Sequence, residues 1–179
     1  MRYFLQGERR DEMRKIMIIG SGGAGKSTFS RRLGEILQLP VFHLDALYWK
    51  KDWVLASREE QIQVQKELVT QEAWIIDGNY GFTMDIRLEA ADTIIFIDLP
   101  RIQCLYRVIK RRIQYHNKTR PDMGEGCEEQ LDFEFLKWVW TYPKVKRPAI
   151  FGKIQAVSAE KNIVIFKSSA EIEEFLQKL

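Results

Sequence analysis

Lys15-Ile16-Met17-Ile18-Ile19-Gly20-Ser21-Gly22-Gly23-Ala24-Gly25-Lys26-Ser27-Thr28-Phe29-Ser30-Arg31-Arg32 is the stretch that decides the fold of this 179-residue chain. The apolar run from Ile16 to Ile19 has the length and branching of a buried strand. Gly20 to Ser27 then fits G-x-x-x-x-G-K-[ST], the spacing of a phosphate-binding loop. Gly20, Gly22, Gly23 and Gly25 permit the positive φ values and close backbone approach that a row of N–H groups facing a phosphate requires. A helix starting near Gly25 adds unpaired N–H groups, Thr28 among its first residues, and the positive end of its dipole. Lys26 brings a cation to the terminal phosphates, and the Ser27 hydroxyl can join a Mg²⁺ shell. A glycine-rich turn with a stray lysine is the plainer alternative. The strand before the loop and the amphipathic helix after it favour the phosphate loop.

Composition narrows the class. A chain of 179 residues, 45% hydrophobic and 30% charged, is of one-domain size with enough apolar content for a full core. No run approaches the ~20 apolar residues of a membrane span. The N-terminal MRYFLQGERRDEM is charged and lacks the apolar region of a signal peptide, so a cytoplasmic location is expected. Cys104 and Cys127 fit neither a disulfide framework nor a metal spacing, and buried, inert thiols are expected. Net charge is only +3, yet Arg101 to Lys153 holds twelve Lys/Arg against six Asp/Glu. Such an uneven balance suggests an anionic partner, either a nucleotide's phosphates or nucleic acid.

Residues 1–13 read as a tail before the first strand, with Met13-Arg14-Lys15 as a natural alternative start; residues 14–179 form the expected domain. Beyond the loop, Phe29, Leu33, Ile36 and Leu37 recur at helical spacing until Leu39-Pro40. Val41 to Asp45 reads as a second strand ending in a carboxylate, followed by an aromatic, irregular stretch to Val54. Ser57 and Glu60 form a capping box for a helix over 58–70. Trp74 to Asp77 is a third strand, with the turn Gly78-Asn79-Tyr80-Gly81 after it. A short helix is expected over 84–90. Thr93 to Ile97 is a fourth strand, followed by a helix from Arg101 towards Tyr115. His116 to Cys127 reads as a mobile polar loop, 130–142 as helix, and Pro143 with Pro148 as brackets of a basic turn. Asn162 to Phe166 is a fifth strand, and 169–179 a last helix capped by Ser169. Strands alternating with helices predict an α/β fold with three layers, α/β/α, around a five-stranded parallel sheet. Ligands in such sheets bind beyond the carboxyl ends of the strands, where the loop, Asp45, Asp77 and Asp98 all fall.

With these residues in hand, the chain resembles the nucleoside-monophosphate kinase branch of phosphate-loop proteins, that of adenylate and shikimate kinases. The similarity runs in order from Lys15 to the C-terminus. It implies the P-loop kinase type of fold with a short lid over about 112–128, and ATP with Mg²⁺. Trp74-Ile75-Ile76-Asp77-Gly78 is similar to the strand whose aspartate serves the Mg²⁺ shell. Ile95-Phe96-Ile97-Asp98-Leu99-Pro100 with Arg107-Val108-Ile109-Lys110-Arg111-Arg112 is similar to the fourth strand and lid-entry helix. The resemblance implies that Arg107 stacks on adenine and Arg111 contacts the transferring phosphoryl group. Thr119-Arg120-Pro121-Asp122 looks like the lid-exit motif, whose arginine clamps phosphates. Only seven residues separate Arg112 from Arg120, a lid length nearer that of shikimate kinase. The family's Gly-Phe-Pro-Arg turn is here Gly78-Asn79-Tyr80-Gly81, leaving Arg87 as the arginine to take its place. The adenylate-kinase monophosphate sequence is replaced by His43 to Trp49 and Trp53. The overall likeness extends to the small bacterial proteins called DNA topology modulation proteins.

The resulting expectation is a phosphotransferase with Lys26, Asp45, Arg111 and Arg120 in catalytic roles. Gly20 to Thr28 and Arg107 would bind nucleotide, and Ser27 and Asp77 would serve the metal. Asp45 could equally be a local cap; otherwise it is a base for the acceptor. Asp98 is expected to be structural, Arg107 and Arg111 to share a helix face, and Tyr48 with Trp49 to border an acceptor pocket. Lys167-Ser168-Ser169 is expected to border adenine. The partners are ATP and a small acceptor, which could be a nucleotide or nucleoside. A nucleotide-regulated DNA binder and an NTPase with no acceptor are the alternatives. No nucleic-acid motif is present, so DNA binding is expected to be weak and salt-sensitive.

Overall fold

The computed structural model describes residues 13–116, 118–130 and 132–179. Apart from Met13, the expected tail lies outside the described residues. Met13 is 2% exposed and packs in the core, so it belongs to the domain rather than to the tail.

Five strands form a parallel sheet: β1 (Lys15–Gly20), β2 (Val41–His43), β5 (Trp74–Asp77), β6 (Thr93–Ile97) and β7 (Asn162–Phe166). Their order is β2-β5-β1-β6-β7. The chain leaves β1 for the far edge, returns to β5, then crosses to β6. The order therefore reverses beside β1, which opens a crevice at its carboxyl end. The strands read as continuous apolar runs because both faces are covered. Ile16, Ile18, Ile95 and Ile97 face one core with Phe29 and Leu33 of α1 (Lys26–Leu37), Val108 of α5 (Arg101–Gln114) and Phe175 of α8 (Ser169–Lys178). Met17, Ile19, Ile76 and Phe96 face the other, with Leu68 of α3 (Arg58–Val69), Leu88 of α4 (Met84–Ala90) and Ile154 of α7 (Arg147–Ala156). The three layers and the parallel sheet match the sequence expectation.

The departures are local. The second strand stops at His43, and Asp45 sits in the first turn of α2 (Leu44–Tyr48). The stretch read as irregular is an arm in which β3 (Trp49–Lys50) pairs antiparallel with β4 (Val54–Leu55). No basic turn lies between the two prolines. The sixth helix, α6 (Phe133–Val145), runs through Pro143, and α7 follows after Lys146 with Pro148 in its first turn. Proline there loses an N–H that has no intrahelical acceptor, so it starts a helix rather than marking a loop. Asp132 caps α6 and Ser168, one residue before Ser169, caps α8. The capping box of Ser57 and Glu60 forms as expected.

The segment read as a mobile loop is packed against the arm. Gly124 lies against the Trp49 carbonyl, where a Cβ would collide with it. Gly126 O accepts from Asp52 N–H, and Glu128 O accepts from Trp53 Nε1–H at 3.0 Å. Cys127 and Cys104 are both buried free thiols. Of the basic segment, Arg111, Arg120, Arg147 and Lys153 are ion-paired, and Arg101 stacks over Trp140. Asp98 is structural, gripped by Arg147 through Nε at 2.9 Å and Nη2 at 2.8 Å. No helix among the described residues is long and apolar enough to cross a membrane.

Arg87 does not replace the missing arginine of the turn. It is fully buried and donates to Gly78 O at 2.8 Å and Asn79 O at 3.1 Å. Burial pushes its pKa down to about 10. The guanidinium therefore holds the chain reversal after β5 from inside. Arg87→Met should destabilise the fold by about 3 kcal/mol, because it leaves two inward carbonyls unpaired. Urea denaturation with an unchanged midpoint would return Arg87 to a ligand-binding role.

Candidate functional site

The reversal beside β1 opens a cavity of about 820 Å³ at the carboxyl ends of the strands. The phosphate loop forms its floor. Gly25 precedes α1 with φ 91°, and no side chain caps the helix and no acidic residue stands in its first turn. The N–H groups of that turn are thus left for an anionic ligand. Gly23 has φ 74°, whereas Gly22 is required for space, since a Cβ there would meet the Phe135 ring. The two glycines serve different needs, which the loop pattern alone does not separate. Asn79 ties the loop to the β5 turn, donating through Nδ2 to Gly20 O at 2.8 Å and accepting from Gly20 N–H at 3.2 Å.

Lys26 lies in this floor and donates to Ser21 O at 3.0 Å. Burial lowers its pKa, and the nearby carboxylates of Asp45 and Asp77 partly offset that effect. Lys26, Asp45, Asp77 and Arg111 are therefore within electrostatic reach of one another, although they are distant in sequence. Asp77 is 3% exposed and its Oδ2 accepts from Ser30 Oγ at 2.8 Å and pairs with His43 Nδ1 at 2.8 Å. Burial lowers the pKa of His43, but the hydrogen bond and charge of Asp77 outweigh it, so the net shift is upward. Asp77 thus stands behind the floor, while Asp122 lines the cavity itself. Burial would raise the Asp122 carboxyl, but Arg120 and the Ser27 hydroxyl hold it below the usual range.

The α5 and lid arginines meet above the floor. Arg107 bridges Ala24 O at 3.2 Å and Ser169 Oγ at 2.8 Å, so it joins the loop to the start of α8. Of Lys167, Ser168 and Ser169, only Ser169 lines the cavity. Arg111 donates through Nε to Glu129 Oε1 at 2.8 Å, and Arg120 Nε lies 2.6 Å from Glu129 Oε2. Arg120 also donates to Asp122 at 3.1 Å. Glu129 is 4% exposed, and its carboxylate holds together two guanidiniums that would otherwise repel. Burial lowers the Arg111 pKa, and the charge of Arg120 lowers it further. An anionic oxygen of a phosphoryl group has the charge and geometry to take over this carboxylate's place.

Asp45 lines the cavity on the side of the arm, with Trp49, Trp53 and Tyr80. Its Oδ1 accepts from the Tyr80 hydroxyl at 2.7 Å. Tyr48 does not border this pocket: it is fully buried and donates to Gln61 O. Its partner in the sequence expectation, Trp49, does line the cavity, with Tyr80 in place of Tyr48. Asp122, Glu129 and Tyr80 went unassigned in the sequence. Asp122 and Tyr80 stood inside quoted motifs without a role, whereas Glu129 carries no local signal and acquires its place through tertiary contact.

No family model and no curated protein matches this chain. Solved structures do. The chain is similar to shikimate kinase from Acinetobacter baumannii in complex with shikimate, at 16% identity and a TM-score of 0.58, covering 97% of this chain and 94% of that one. It is also similar to shikimate kinase from Bacteroides thetaiotaomicron, at 18% identity and a TM-score of 0.51, covering 93% and 96%. A likeness to DNA topology modulation proteins finds no counterpart in these comparisons. At this level of identity the similarity establishes the fold, which is that of the shikimate-kinase type of phosphate-loop kinase.

Proposed function

We propose that residues 14–179 form one ATP-dependent phosphotransferase unit, which moves the γ-phosphoryl group to a hydroxyl of a small acceptor. The observation that carries this reading is the meeting of Lys26, the uncapped start of α1, Asp45 and the Arg111–Arg120 pair around one cavity. Phosphoryl transfer needs positioning and neutralisation of charge more than covalent catalysis, and these groups supply both.

The roles follow from placement. The N–H groups from Gly20 to Thr28 and the Lys26 ammonium hold the phosphates. Arg107 borders the base. Arg111 and Arg120 stabilise the charge that develops on the transferring group. Ser27 would hold Mg²⁺, with Asp77 acting through water. When bound, the ion neutralises phosphate charge. Asp45 orients the acceptor hydroxyl and takes its proton. The acceptor oxygen bonds to the γ-phosphorus, the bond to the β–γ bridging oxygen breaks, and its electron pair leaves on ADP. The wall around Asp45 favours an acceptor over a plain NTPase. No observation favours a DNA-binding surface, since the cations of the basic segment are largely paired or directed into the cavity.

Three outcomes test this. Lys26→Ala should weaken ATP·Mg²⁺ binding by calorimetry and abolish ADP formation; unchanged affinity together with unchanged turnover would remove the central claim. Arg111→Ala should lower the rate roughly 10²-fold, on the scale of a lost electrostatic stabiliser. Arg107→Ala should instead weaken ATP binding, so equal small losses at both positions would point to solvated side chains. Asp77→Asn should raise the Mg²⁺ concentration needed for half-maximal rate while the fold survives. Wild-type Mg²⁺ dependence in that variant would leave Asp77 with only its contacts to Ser30 and His43.

A further inference from the structure

We propose that the acceptor is an uncharged, hydroxyl-bearing ring compound of the nucleoside class, that Tyr80 positions Asp45 for it, and that Trp49 and Trp53 supply its stacking face. This deepens the phosphotransferase reading and rests on it.

Two features of the arm wall carry the inference. The first is a fixed carboxylate. The Tyr80 hydroxyl donates to Asp45 Oδ1 at 2.7 Å, and Trp49 lines the cavity beside them. The Tyr80 hydroxyl, desolvated and beside the Asp45 charge, is driven far above its ordinary pKa and stays a donor. One carboxylate oxygen is thereby fixed, and the other has no hydrogen-bond partner among the described residues. A hydroxyl of the acceptor completes the set. Beside this carboxylate, Trp49 and Trp53 pack edge to face at 5.6 Å and both line the cavity. Indole rings there offer a flat, apolar surface on which a planar ring can stack.

The second feature is the charge of the wall. Lys50, on the same arm, reaches out to Glu60 at 2.6 Å, and the Lys51 stem packs at Gly126; neither lines the cavity. Arg120, paired with Asp122 and Glu129, is assigned to the transferring phosphoryl group. Arg87 is buried under the β5 turn. On the arm side the cavity is lined by Asp45, Trp49, Trp53 and Tyr80, none of them cationic. A phosphate or carboxylate on the acceptor would meet like charge there without a matching cation, which is unfavourable in a partly desolvated cleft. Arg31, one helical turn beyond Ser27, also lines the cavity, as does Arg32 while paired with Glu173, and the experiment includes Arg31.

The full chain is assayed for ADP release with ATP·Mg²⁺ and matched pairs: each ribonucleoside against its 5′-monophosphate, with shikimate as a carboxylate-bearing comparison. Calorimetric ATP binding, abolished in Lys26→Ala, is measured alongside, so failure of the phosphotransferase reading is seen separately. The expected result is turnover with a nucleoside at a kcat/KM at least about tenfold above its monophosphate, the scale of one unfavourable charge contact. Trp53→Ala should raise the acceptor KM about tenfold with kcat retained, as for loss of a stacking face. Tyr80→Phe should lower kcat about tenfold or more with ATP affinity unchanged, as for loss of a hydrogen bond to a charged group. Arg31→Ala should leave the acceptor KM within about threefold of its original value. The proposal is overturned if a monophosphate or shikimate outperforms the nucleosides, if that activity is lost with Arg31, or if ATP binds normally but no nucleoside is phosphorylated.

Discussion

Lys26 is withdrawn from water at the N-terminus of a helix that has neither a side-chain cap nor an acidic first turn, and this concentration of positive charge governs what surrounds it. A buried ammonium beside unpaired N–H groups is unfavourable unless negative charge lies close. The chain meets the requirement with carboxylates delivered by two other segments: Asp45 from α2 and Asp77 from the end of β5. Each sits where the parallel sheet sends its connections, at the carboxyl ends. The floor therefore attracts anions, and the acids around it limit how much positive charge is left exposed. The same constraint explains why the glycines of the loop are spent differently: some on backbone angle, Gly22 on room for the Phe135 ring.

Above the floor the logic is repeated with the signs exchanged. Arg111 and Arg120 converge from α5 and the lid, and Glu129 keeps them together. Two guanidiniums in a poorly solvated cleft repel, and a carboxylate between them removes that cost. An entering phosphoryl group competes for the same pair. The lid is joined in turn to the arm through Gly124, Gly126 and Glu128. The segment that carries Arg120 and Glu129 is thus in direct contact with the arm that carries Trp49 and Trp53.

Much of this was legible in the sequence. The strand–glycine loop–helix pattern carries its own confirmation, because a run of branched apolar residues, a run of glycines and an amphipathic period each have a local physical cause. The same holds for the five strands, the capping box at Ser57 and Asp77 at the end of β5. Local rules failed where a residue type has two opposite uses. Proline both ends and begins helices, and Pro148 begins one. Polar, glycine-containing stretches are usually mobile, but 118–130 packs onto the arm.

What only the tertiary structure decided is the assignment of like residues to unlike jobs. Arg87, Arg111 and Arg147 are indistinguishable as letters. One braces a turn from inside, one meets a carboxylate in the cavity and one locks Asp98 to α7. Tyr48, expected on the acceptor pocket, is buried, and Tyr80, given no role in the sequence, stands on the cavity wall. The sequence by itself determined the layers, the parallel sheet and the phosphate loop, since these rest on periodicity and backbone freedom that act over a few residues. The direction of each charged side chain rests on contacts made across tens of residues, and it exists only once the sheet has brought them together.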